Sequence, residues 1–167
     1  MSPESEGACS PAGPPRRSGR SARSLLAAGL LGSLCVAGCV APAFDSGAFT
    51  HNAIEALDSA QSQTRTAYLA VQAKLDDKLT QPYVDNVVTE SEDAMGPIED
   101  SFGNVDPPTA ADGKLRDDVG QLLSDAADVL STARIAVREH DEPGMRQSVK
   151  DLGSLADQLE KKSQALP

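Results

Sequence analysis

Two histidines, three cysteines and 25 carboxylates are the residues that could make or break bonds in this chain of 167. His51 stands four residues before Glu55, so on a helix the two would share a face. They could hold one divalent ion if the fold brought His140 near. Other recognisable chemistry is missing from the spacing. Di-iron bundles need Glu-x-x-His, because three-residue spacing turns both ligands toward the metals, and that pattern does not occur. Haem attachment would need Cys-x-x-Cys-His, and a nucleophile elbow would need Gly-x-Ser-x-Gly. Neither is present. The carboxylates cluster as Asp76-Asp77, Glu90 to Asp93, Glu99-Asp100, Asp117-Asp118 and Glu139 to Glu142. Most such runs are solvated helix faces. The group Glu90, Glu92, Asp93, Glu99 and Asp100 flanks Gly96-Pro97, which makes it the candidate for weak binding of a divalent cation or a basic partner. It lacks calcium-loop spacing. The expectation is a protein with no catalytic residues and no cofactor.

Cysteine chemistry leads elsewhere. Arg16, Arg17, Arg20 and Arg23 crowd in front of Leu25 to Gly38, a run of 14 residues without a charge. A basic segment followed by a short apolar one is the pattern of a cleavable export signal. At 1.5 Å per helical residue the run is too short to cross a hydrocarbon core of about 30 Å. The uncharged stretch does continue to Phe44, but Gly29, Gly32, Gly38 and Pro42 interrupt it as a spanning helix. The run closes on Val36-Ala37-Gly38-Cys39, an aliphatic residue and two small ones before a cysteine. This resembles the signal of bacterial lipoproteins. The resemblance implies a diacylglycerol thioether on Cys39, cleavage between Gly38 and Cys39, and acylation of the new amino terminus. Cys9 and Cys35 would leave with the signal, so no disulfide framework is expected.

Removing residues 1–38 leaves 129, enough for one ordinary domain. That remainder has 11 basic and 23 acidic residues, a net charge of −12. Such a field repels phosphate backbones, which excludes nucleic acid as a partner. The chain has no Trp, three Phe and two Tyr, few of the rigid anchors that line small-molecule pockets.

Something must position these residues, and the apolar spacing beyond a tether over residues 39–48 is helical throughout. Ile54, Leu57, Gln61, Thr64, Tyr68, Val71 and Leu75 form one stripe, with Ala53, Ala56, Ala60 and Ala67 beside it. It predicts a helix over about 49–79, capped by Thr50. Val84, Val88, Ser91, Met95, Ile98 and Phe102 predict a second over about 82–103, started by Pro82 and kinked or restarted at Gly96-Pro97. Thr109, with Asp112 as a loose capping box, opens a third over about 109–140. Its stripe is Leu115, Val119, Leu122, Ala126, Val129, Ala133 and Val137, widened by Leu123, Leu130 and Ile135. Met145, Val149, Leu152, Ala156, Leu159 and Leu166 carry the fourth, over about 143–165.

The simplest packing is an all-α, up-down-up-down four-helix bundle over 49–167. Its first and third helices then run parallel, leaving His51 and His140 about 40 Å apart at opposite ends. The many alanines make it narrow, without room for a cofactor. The expected function is that of a lipid-anchored protein outside the cytoplasm. It would be held to the bilayer by acylated Cys39 and act as a structural or protein-interaction module toward another envelope protein. Capture of a metal ion or small solute for a transporter is the alternative.

Overall fold

The computed structural model describes residues 45–167, and they form a bundle of four helical limbs, the second of them broken. The expected export signal over residues 1–38 and the expected lipidation site at Cys39 lie outside the described residues. Helix α1 spans Ser46–Leu75, α2 Gln81–Asp93, α3 Met95–Gly103, α4 Ala110–Arg138 and α5 Glu142–Gln164. No helix among the described residues is long and apolar enough to cross a membrane.

Each boundary has a local cause. The Asp45 carboxylate accepts the Ala48 N–H at 2.8 Å, so α1 starts earlier than the cap expected at Thr50, which lies inside the helix. It also ends earlier than expected, at Leu75. Asp77 adopts φ 56° there, and the Lys78 N–H returns 2.8 Å to the Ala73 carbonyl in a left-handed cap. The second limb breaks at Ala94, one turn before the expected kink. Pro97 has no N–H to give the Asp93 carbonyl four residues back, so the helix restarts at Met95 with Pro97 in its first turn. Thr109 caps α4 by accepting the Asp112 N–H at 3.2 Å. His140, at φ 56°, ends α4 with the same left-handed cap, where the Asp141 N–H reaches the Ala136 carbonyl at 2.9 Å.

Both caps place an L-residue in a conformation that glycine adopts without strain. His140→Gly is therefore expected to stabilise the fold by about 0.5–1 kcal/mol, read as a rise in the urea midpoint with unchanged slope. A fall would show that the imidazole itself holds the turn.

Helices α1 and α4 run parallel through the centre. Their starts are joined by the Ser46 hydroxyl, which donates 2.7 Å to Asp112, and their ends meet where Lys74, Leu75, His140 and Met145 line one small hollow. The broken limb lies antiparallel on one flank and α5 antiparallel on the other, with α5 touching neither α2 nor α3. The cross-section is thus a flattened lozenge with α1 and α4 on its short diagonal. Alanine permits that diagonal: Ala53, Ala60 and Ala67 of α1 and Ala126 and Ala133 of α4 have no exposed surface, and neither has Ala156 of α5. Phe49, Leu57, Val71, Val88, Leu123, Leu130, Leu152 and Leu159 fill the layers between them.

The stripes are corrected in three places, one of them in α4, where Leu123 and Leu130 are buried while Leu115, Leu122 and Val129 are half-buried. Ala60 and Ala67, read as flanking positions, sit at the centre of α1, while Ile54, Gln61, Tyr68 and Leu75 are only half-buried. Ile135, expected to widen the face of α4, is 47% exposed. It stands two residues after the fully buried Ala133, about 200° round the helix.

Polar contacts set the register. Gln81 Nε2 donates 2.6 Å to the Val137 carbonyl, tying the start of α2 to the end of α4. Arg138 meets Asp85 at 2.9 Å and Arg116 reaches the Gly103 carbonyl at 2.6 Å, so the whole broken limb is fixed along α4. On the other flank Arg65 of α1 grips Asp157 at 2.7 Å, and Ser163 donates 2.6 Å to Asp58. Thr64, with no exposed surface, turns its hydroxyl 2.8 Å onto the Ala60 carbonyl of its own helix.

Candidate functional site

The five carboxylates singled out around Gly96-Pro97 are not brought together. Glu92 points to α4, where both its oxygens take the guanidinium of Arg134, one of them at 3.2 Å. Both side chains are largely shielded, and the Glu92 hydrogen bond pushes the Arg134 pKa above its already high ordinary value. Glu92 is therefore engaged in holding α2 to α4. Glu90 accepts Asn86 from its own helix at 2.7 Å, and Asp93 and Asp100 are exposed. Among the described residues no group of three or more His, Cys, Asp or Glu could hold a metal ion. His51 does pair with Glu55, at 3.1 Å on the exposed face of α1. His140 lies at the other end of the bundle, since α1 and α4 start side by side.

Asp112 is the buried carboxylate that the sequence reading saw only in part. Its Oδ2 accepts the Thr109 hydroxyl at 2.6 Å and the Ser46 hydroxyl at 2.7 Å, so one acid serves the first turns of two parallel helices. The Thr109 hydroxyl, then the Ser46 hydroxyl, hold its pKa below the ordinary carboxylate value. A group depressed in this way contributes stability that is fully present above the unfolded-state value, about pH 4, and is lost as pH falls through the folded one. Asp112→Asn should accordingly lower the melting temperature at pH 7, with the gap to the parent narrowing as the pH drops below about 4. A gap constant with pH would contradict this role.

Helix α3 has no side-chain cap at its start. Two open grooves of the surface flank it. One, of about 350 Å³, runs between α1 and α3, lined by Asn52, Glu55, Ser59, Pro97, Ile98 and Phe102. The other, of about 450 Å³, runs between α3 and α4, lined by Glu99, Phe102, Gly103, Arg116, Asp117, Gly120 and Leu123. Phe102 is the wall they share. Its ring centroid lies 5.6 Å from that of Phe49, which keeps α3 seated on α1. Of the five candidate carboxylates, only Glu99 lines either groove.

No protein-family model, curated protein or solved structure matches the chain.

Both grooves are open rather than enclosed, unlike sites that bury most of a small ligand. Large exposed apolar side chains among the described residues are Leu69, Tyr83 and Ile135, one each on α1, α2 and α4. Sequence reasoning missed the grooves because they depend on where α3 restarts and on what lies across from it. The one signal available was the glycine content of this region, with Gly96, Gly103, Gly113 and Gly120 falling inside helical stretches.

Proposed function

We propose that the protein is a bacterial lipoprotein whose helical bundle acts, without catalysis, as a structural or protein-interaction module outside the cytoplasm. The observation that carries this reading is Val36-Ala37-Gly38-Cys39 at the end of an uncharged run preceded by four arginines. Small residues before the cysteine suit enzymes that must bring a lipid and an extended backbone together. Two or three acyl chains, at about 0.8 kcal/mol per buried CH₂, anchor far more firmly than one.

From Cys39 to the cap at Asp45 is six residues, a reach of at most about 20 Å. The end of the bundle carrying the start of α1, the start of α4 and the end of α5 would therefore stay near the bilayer. The turns at Asp77 and His140 would face away from it. A net charge of −12 in the mature chain favours basic partners.

The test is purification from membranes through a C-terminal tag after crosslinking in cells, with mass spectrometry of the Cys39 peptide and of co-purifying protein. A lipidated Cys39 with a stoichiometric partner is expected, and Cys39→Ser should move the protein from the membrane to the soluble fraction. An unmodified Cys39 would remove the localisation and the function resting on it. A lipidated Cys39 without any partner would favour capture of a metal ion or small solute over protein interaction.

A further inference from the structure

Gly120 lies in the interior of α4, where glycine weakens a helix relative to alanine. Packing does not require it. A Cβ added at Gly120, or at Gly103 across the groove on α3, would meet nothing within 4 Å. The two glycines face open space and, with Glu99, Asp117, Phe102 and Leu123, define a hollow of about 450 Å³. Local helix propensity is sacrificed where no neighbour demands it, and the result is an open groove roomier than one side chain needs, able to take a side chain together with part of the segment carrying it. Departures of this kind from the local rules concentrate at functional positions.

The rim states what would fit. Glu99 stands on the α3 side and Asp117 on the α4 side, against one guanidinium, that of Arg116, which donates 2.6 Å to the Gly103 carbonyl. Two carboxylates against one cation leave the rim negative, on a body that is itself strongly acidic. A long cationic side chain meets both demands: an aliphatic stem laid over the bare glycine backbone and a charged head at the carboxylates.

We propose that the groove between α3 and α4 is a docking site for a segment of another envelope protein. That segment would insert an Arg or Lys side chain over Gly103 and Gly120 to pair with Glu99 and Asp117. The site rests on the interaction-module reading and gives it a location and a partner chemistry.

The test uses the full chain in a nonionic detergent and a short fluorescein-labelled peptide of alternating arginine and leucine, with a glutamate–leucine peptide as control. The arginine peptide should bind and the glutamate peptide should not. Affinity should fall at least about ten-fold both in Gly120→Leu, which covers the bare backbone and narrows the groove, and in Glu99→Gln with Asp117→Asn. Gly120→Leu adds a good helix former in open space, so an undiminished melting temperature would separate lost docking from lost folding. Gly120→Ala, with a smaller plug, should give a smaller loss. Neutralising Asp125 and Asp151, which line a separate open groove of about 330 Å³ between α4 and α5, should leave affinity unchanged. The proposal is overturned if the arginine peptide does not bind. It is also overturned if Gly120→Leu binds as the parent does, or if Asp125→Asn with Asp151→Asn weakens binding equally, the mark of attraction to the acidic surface at large. A photo-crosslinking residue placed in cells at position 124, exposed one turn after Gly120 and outside the groove lining, or at position 69 separates this failure from that of the broader reading. A partner captured only from position 69 removes the groove and leaves the interaction module standing. No capture from either position removes both.

Discussion

Phe49→Ala is expected to destabilise the bundle by about 3–5 kcal/mol, the upper range for a single truncation in a core. The side chain has no exposed surface and its ring meets that of Phe102, 5.6 Å away and tilted by 45°. Alanine in its place removes a whole ring from the core and leaves Phe102 without its aromatic partner. The deletion also frees α3, which has no side-chain cap and an open groove on each side. Urea unfolding followed by circular dichroism gives the value from the midpoint if the slope is unchanged. A loss below about 1 kcal/mol would mean that the aromatic pair does not seat α3.

Enlarging the alanine seam should also be costly. Ala60→Leu adds three heavy atoms where the parent side chain has no exposed surface and where α1 lies against both α4 and α5. Overpacking of this kind costs about 1–3 kcal/mol, because the helices must separate or the side chain must leave its preferred rotamer. Ala111→Leu, on an exposed position near the start of α4, is the matched control and should change stability by no more than about 0.5 kcal/mol. Equal effects at the two positions would refute a close-packed centre. The comparison isolates packing, since both changes replace one good helix former by another.

Much of the architecture is legible in the order of residues because helix formation is a local matter. Apolar residues three and four apart mark the four limbs, Pro82 and Pro143 mark starts, and Thr109 with Asp112 marks the cap of α4. Boundaries were read less well where the decisive group lies outside the periodic stretch. Asp45, four residues before the first large apolar side chain at Phe49, captures the Ala48 N–H, so the helix begins ahead of its own stripe. Pro97 breaks the second limb at Ala94 rather than at itself, because the hydrogen bond it forfeits belongs to the carbonyl of Asp93.

The candidate site was less legible, for a different reason. Glu92 reads as one of five clustered acids until its partner Arg134, 42 positions away, is seen to take both its oxygens. Asp112 reads as half of a local cap until Ser46, 66 positions away, is found on the same oxygen. Spacing along a chain cannot report such pairs, since it depends on how neighbouring helices slide and rotate against each other. The proposed export signal is the opposite case: its four arginines, uncharged run and Val36 to Cys39 would be read as consecutive residues, without any tertiary neighbour.

Residue order alone determined the number of helical limbs, the prolines that start or interrupt them and the acidic character of the body. All of these follow from interactions between near neighbours or from a simple sum of charges. Tertiary structure decided that alanines rather than the larger residues beside them form the centre of α1, that Ile135 faces solvent, and that Gly103 and Gly120 leave a hole between α3 and α4. Each of these depends on which side of a helix its neighbours occupy, and that is settled only when all four limbs compete to bury their apolar surface together.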